Sequence, residues 1–169
     1  MEQKPKLAGD LTYEDRWRAA LDAFLGTLWG WVELVEEEFG FEKAEEMLAS
    51  FARKMGEQMV PYWLDYFGTK TMKVPQMSQV ADVIHELWDF KAPWTIESED
   101  SGYETVESCP IWNAAPEKYK EGGVCRLWCG ILGPIFYAGL GGGKARAEVK
   151  KSRPGRDDVC VLAIECNKE

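Results

Sequence analysis

Residues 124–144 contain the side chains whose types and spacing most directly suggest chemistry. Cys125 and Cys129 lie four positions apart in a segment that is otherwise largely apolar. On a helix, this spacing places both thiols on one face. Cys109 comes directly after a predicted β-hairpin and is a third thiol that can approach the same place. Three thiolates suit tetrahedral zinc, although this spacing is not that of a zinc finger or a zinc ribbon.

Three interpretations of these thiols remain open: small apolar core residues, metal ligands, or nucleophiles with a lowered pKa. The chain has five cysteines, an odd number, and its first residues, MEQKPKLAGDLTYEDRW, lack the apolar core of a secretory signal. We therefore expect reduced thiols and a cytoplasmic location.

His85 is the single histidine of the chain and therefore the simplest candidate for a proton-transfer group near neutral pH. It lies beside Ile84, just off the apolar stripe of a predicted helix, so a structural or surface role is the alternative. The eight tryptophans either fill the core or line a pocket for a flat or apolar ligand. The candidate ligand-binding side chains are aromatic: Trp112, Trp128, Phe136 and Tyr137.

Charge and composition argue against several classes of function. The net charge of −9 leaves no basic surface for nucleic acid and disfavours anionic membrane surfaces. The longest nearly uncharged run, residues 130–143, is too short to span a bilayer. The glycine run is not a phosphate loop, because Ala138 stands where that motif needs glycine and Ala145 follows Lys144 where it needs Ser or Thr.

Apolar residues at helical spacing predict three helices in the first half of the chain. TYED, which begins at Thr12, is a capping box for the first helix, and Gly40 marks its end. The second helix covers about residues 42–67 and is kinked or broken at Pro61. Ser78 is the predicted cap of the third.

The second half predicts a hairpin, a buried helix and another hairpin. WTIES and YETVES form the first hairpin, and the segments around residues 144–152 and 159–166 form the second. Residues 124–140 form the helix, which Gly133-Pro134 must either bend or divide by starting a second helix. NAAPEKYKEGG is predicted to be a loop. We expect a single α+β domain over residues 1–169, with a helical half (1–92), a hairpin-helix-hairpin half (93–169) and about four antiparallel strands.

The hairpin ending in ESCPIW, the cysteine-containing helix and the final hairpin ending in DDVCVLAIE resemble the L-2-amino-thiazoline-4-carboxylate hydrolase-like proteins. They are more distantly similar to the 4-vinyl-reductase-like ligand-binding domains. The resemblance covers the C-terminal half in detail and the helical half only in kind.

The first resemblance implies hydrolysis of a cyclic amidine or related C–N bond. The candidate nucleophile for such a reaction is a metal-bound water or a thiolate at Cys109 or Cys129, and the candidate proton-transfer group is His85 or Glu148. The second resemblance implies a domain that binds a small apolar or aromatic molecule, in some cases with zinc. Ser152 occupies the position of one cysteine in that zinc pattern, so Cys125 or Cys109 would have to supply the missing sulfur. The implied metal ligands are Cys125, Cys129, Glu148 and Cys160.

Three hypotheses follow: a hydrolase, a non-catalytic binding or sensory domain, and a structural protein with inert cysteines. The first two require a small-molecule partner, and none requires nucleic acid or a membrane. Such an acidic chain need not be monomeric, so the sequence is compatible with a homo-oligomer.

Overall fold

The first two helices follow from local signals in the sequence. In the computed structural model, which describes residues 11–120, 128–153 and 157–166, α1 spans Tyr13–Phe39 and α2 spans Phe41–Tyr66. The Thr12 hydroxyl accepts the Asp15 N–H at 3.1 Å, and the Asp15 carboxylate accepts the Thr12 N–H at 2.9 Å, which confirms the capping box. Gly40, at φ 87°, separates the helices in a conformation that favours glycine.

The third helix, α3, spans Val74–Trp88, so the predicted cap at Ser78 is wrong. Pro75 lies in the first turn, where a missing N–H costs no helical hydrogen bond. Lys73 is the cap, and its N–H donates to the Gln76 side chain at 3.2 Å. Ser78 is instead buried inside the helix, and its hydroxyl donates to the Pro75 carbonyl at 3.0 Å.

Four antiparallel strands form one sheet and confirm the α+β prediction. They are β1 (Trp94–Ile96), β2 (Ser101–Val106), β3 (Ala145–Lys151) and β4 (Cys160–Cys166), in the order β1-β2-β4-β3. The two hairpins are therefore joined through their second strands, β2 and β4. Side chains alternate along β2, with Gly102, Glu104 and Val106 on the buried face.

Short helical elements connect the two hairpins. Helices α4 (Pro110–Ala114) and α5 (Glu117–Lys120) occupy much of the segment predicted as a loop. A π-helical turn at Trp128–Leu132 leads into α6 (Gly133–Leu140), so the predicted bend coincides with the change from π- to α-helix. Cys125 and the side chains of Trp128 and Cys129 lie outside the described part of the chain.

The apolar core consists of two clusters. The first packs α1 and α2 against the region around Val106, Cys109 and Ile111. The second packs α3 and α6 against the inner face of the sheet, around Met77, Leu140 and Ile164. None of the helices in the described ranges has both the length and the apolar character required to cross a membrane.

Candidate ligand-binding cavity

A cavity of about 110 Å³ lies where the two core clusters meet. Its wall comes from α2, α3, β2, β4, α4, the π-helical turn and α6, and it is almost entirely apolar. The apolar lining side chains include Met55, Met59, Ile84, Trp88, Phe90, Val106, Ile111, Leu132, Phe136 and Leu162. An apolar cavity with a few convergent polar groups is the usual form of a small-molecule site.

His85, Glu104 and Tyr137 form a polar cluster in this apolar wall. Nε2 of His85 lies 3.4 Å from Oε2 of Glu104, and the Tyr137 hydroxyl donates to the same oxygen at 3.4 Å. These three residues come from α3, β2 and α6 respectively, so the tertiary fold brings them together. Both separations exceed the 2.7–3.2 Å typical of strong hydrogen bonds, so the cluster is only loosely bonded within itself.

Burial keeps the Glu104 carboxyl neutral near pH 7. The side chain is buried, and desolvation raises its pKa to about 8, an effect that the hydrogen bond from Tyr137 partly offsets. The nearby charge of Asp82 raises the pKa further. Glu104 therefore acts as a hydrogen-bonding carboxylic acid, as buried carboxyls without a cationic partner do.

Burial also keeps His85 neutral, because desolvation lowers its pKa to about 4. The contact between His85 and Glu104 is therefore between two neutral groups and is not an ion pair. Nδ1 of His85 is buried and has no hydrogen-bond partner among the described residues. A protonated imidazole would place a second N–H donor at that unpartnered position, which also disfavours the charged form.

The structure brings some of the predicted site residues together. His85, Phe136 and Tyr137 all line the cavity. Cys109 and Trp112 belong to the first core cluster and lie outside the cavity lining formed by the described residues. The predicted roles of Trp128, Cys125 and Cys129 concern side chains outside the described part.

Cys109 is in an environment that favours the thiol over the thiolate. It is buried, and desolvation raises its pKa to about 11 despite a backbone hydrogen bond from Trp112. The Trp112 N–H donates to its sulfur at 3.4 Å, so Cys109 caps the short helix α4. A nucleophilic cysteine requires the opposite shift of its pKa.

The sheet separates two of the implied metal ligands. Glu148 is on the exposed face of β3, where its carboxylate pairs with Lys150 at 2.8 Å and has a lowered pKa. Cys160 is on the buried face of β4. The two side chains therefore point to opposite faces and do not fit one zinc ion. No group of three potential metal-binding side chains occurs within the described ranges, while Cys125 and the Cys129 side chain lie outside them.

Glu104 is a polar residue of the cavity that is not predicted from the sequence. Its only local signal is the two-residue alternation of β2, which places it on the same face as Val106. Tyr103 and Thr105 alternate equally well on the other face, so the pattern alone does not identify the buried side.

The comparisons with known proteins show a structural relationship. Neither a protein-family model nor a curated protein sequence matches this chain significantly. Among solved structures, it is similar to a trafficking protein particle complex subunit 3 from Naegleria fowleri, described as covalently bound to palmitic acid. The TM-score is 0.59 at 15% sequence identity, and the match covers 89% of this chain and 97% of that chain. The two proteins therefore share a fold.

Proposed function

We propose that the protein binds a small, mainly apolar molecule in the cavity between α2, α3, α6 and the sheet. The observation that carries this proposal is the combination of an apolar wall with the loosely bonded, uncharged polar cluster. Nδ1 of His85 is buried without a hydrogen-bond partner among the described residues. Such an atom costs stability, so the cluster suits a site that is completed by a ligand.

The structural neighbour supports an apolar occupant. That protein is described as bound to palmitic acid, a molecule with a long apolar chain. Its identity to this chain is only 15%, so the argument for this protein depends on its own cavity.

The contacts at the cavity favour binding over hydrolysis. A hydrolase of a cyclic amidine needs an activated water or thiolate and a group that moves protons. His85 suits the second role, but Cys109 lies outside the cavity lining and is held as a thiol. Hydrolysis and a zinc ion therefore stay predictions, and binding is the function that we propose.

A cytoplasmic location and a homo-oligomer are the remaining parts of the proposal. The odd number of cysteines suits a reducing compartment. Large apolar side chains of α1, including Trp17, Phe24 and Leu34, are exposed, and the structural neighbour is a subunit of a complex. Light scattering after size-exclusion chromatography measures the mass in solution, and the mass of one chain at high concentration would contradict the oligomer.

Toluene is a suitable probe of the cavity because it is apolar and of similar size. An engineered cavity of about 150 Å³ in another protein binds benzene. Isothermal titration calorimetry is expected to detect toluene binding to the wild-type protein. Ala81→Leu fills the cavity from the buried face of α3 and is expected to abolish this binding.

Ala20→Leu is the matched control, because it makes the same chemical change at an exposed position of α1. It is expected to leave toluene binding unchanged. Thermal unfolding of all three proteins checks that each is folded. Absence of toluene binding to the folded wild type, or equal binding to Ala81→Leu, would contradict the proposed site.

A further inference from the structure

We propose, on the basis of the proposed function, that the cavity selects molecules whose apolar body carries one uncharged hydrogen-bonding group, and that this group bonds to His85 and Glu104. The polar cluster supplies the site, and the apolar wall surrounds it. Such a ligand is an alcohol or a similarly neutral polar compound, and is neither a carboxylate nor an amine cation.

The first support is the geometry of the polar cluster. Two polar side chains, His85 and Tyr137, approach the same oxygen of Glu104 at 3.4 Å without reaching the distance of a strong hydrogen bond. Nδ1 of His85 also has no hydrogen-bond partner among the described residues, so the imidazole keeps bonding capacity that these residues do not use. A hydroxyl both donates and accepts, so one such group can bond to the imidazole and the carboxyl together.

The second support is that the described residues of the cavity wall offer no charged partner. A bound carboxylate needs a cation, and among the described lining residues only His85 can become one. Charging His85 would leave an N–H at Nδ1 that is buried without an acceptor. A bound ammonium needs an anion, and ionising Glu104 requires a charge at a buried position.

The third support is the size of the cavity. A volume of about 110 Å³ suits a ring or a short aliphatic group. The polar cluster occupies one part of the wall, while side chains such as Met55, Trp88 and Leu132 enclose the rest. One polar group on a small apolar body therefore matches the distribution of polarity in the site.

Four probes that share a phenyl ring with one attached carbon test the proposal: toluene, benzyl alcohol, benzoate and benzylammonium. Calorimetric titrations are made at about pH 6.5, where the last two probes are ionised. Benzyl alcohol is expected to bind about fivefold more tightly than toluene, the effect of one net hydrogen bond. Benzoate and benzylammonium are expected to bind at least about tenfold more weakly than benzyl alcohol, because each would be buried as an unpaired ion.

Two variants identify the residues responsible. His85→Phe keeps a ring and removes the imidazole nitrogens, so the preference for benzyl alcohol over toluene is expected to decrease while toluene still binds. Ala20→Leu changes an exposed position of α1 outside the cavity, and is expected to keep the preference. Retained toluene binding shows that each variant is folded.

The outcomes separate this inference from the proposed function. Failure of all four probes to bind would overturn the proposed function and the inference with it. Binding of toluene with no preference for benzyl alcohol, or of benzoate as tightly as benzyl alcohol, would overturn the inference alone. A preference of unchanged size in His85→Phe would also overturn it.

Discussion

Replacement of Glu104 by Gln should change how stability depends on pH. In the unfolded chain, the carboxyl releases its proton near its ordinary pKa of 4.5, whereas burial in the folded protein raises that pKa to about 8. Between these values the folded state binds more protons than the unfolded state. The free energy of unfolding therefore falls as the pH rises through this interval, and the loss is complete above about pH 8.

His85 contributes with the opposite sign at lower pH. Its pKa falls from 6.5 to about 4 on folding, so the unfolded state binds more protons there and stability rises with pH. From about pH 4.5 to 6.5 the two contributions largely cancel. Above that interval mainly Glu104 contributes, and at about 1.4 kcal/mol per pH unit the loss between about pH 6.5 and 8 is about 2 kcal/mol.

Glu104→Gln mimics the neutral carboxyl and does not titrate. Urea unfolding followed by tryptophan fluorescence at about pH 6.5 and 8.5 measures the free energy of unfolding. The wild type is expected to lose about 2 kcal/mol relative to Glu104→Gln over this interval. Comparing the change in unfolding free energy between the two proteins removes the pH effects that both share.

Glu148→Gln is the matched control on the same sheet. Lys150 lowers the pKa of Glu148, so this exposed carboxyl is ionised throughout the interval, and its replacement should not alter the pH dependence. If the difference in unfolding free energy between wild type and Glu104→Gln is the same at both pH values, the reasoning about the buried carboxyl is refuted.

Three further changes test the fold and the thiols. Gly102→Ala is expected to lower the free energy of unfolding, measured with urea, by about 1–3 kcal/mol. The reason is that a Cβ at this position would lie 2.8 Å from the Thr95 carbonyl oxygen. An unchanged midpoint of unfolding would contradict this close packing. Thr12→Ala removes the hydroxyl that accepts the Asp15 N–H, and should lower the free energy of unfolding by about 1 kcal/mol. A decrease below about 0.3 kcal/mol would show that the cap contributes little to stability. Peptide mass spectrometry measures the alkylation of Cys109 by iodoacetamide at neutral pH. The reaction should be at least about a hundredfold slower in the folded than in the urea-unfolded protein, because burial raises the thiol pKa from 9.0 to about 11. Equal rates in the two states would make Cys109 a candidate nucleophile again.

Features that depend on neighbouring residues were predictable from the sequence. The capping box of α1 involves residues three positions apart, and the two hairpins are marked by their alternation and turns. The start of α3 was misplaced because Ser78 is a good capping residue, yet Val74 is fully buried and Pro75 suits a first turn. The burial of Val74 in the core therefore determined where α3 begins, and the capping preference of Ser78 did not.

The cavity was not predictable in the same way, because its polar cluster combines residues far apart in the chain. His85, Phe136 and Tyr137 were identified by residue type, but their proximity to Glu104 depends on how α3 and α6 pack against β2. The burial that makes Glu104 and His85 neutral is a property of this packing. Cysteine is a reactive residue type, but the buried environment of Cys109 raises its pKa and so lowers the reactivity of this thiol.

The position of Glu104 within the sheet determines how its carboxyl exchanges protons. Glu104 pairs with Trp94 of β1 on one side and Leu162 of β4 on the other. Its side chain lines the cavity, so an occupant that fills the cavity covers the carboxyl on that side. The rate at which Glu104 gains and loses its proton would therefore report whether the cavity is occupied.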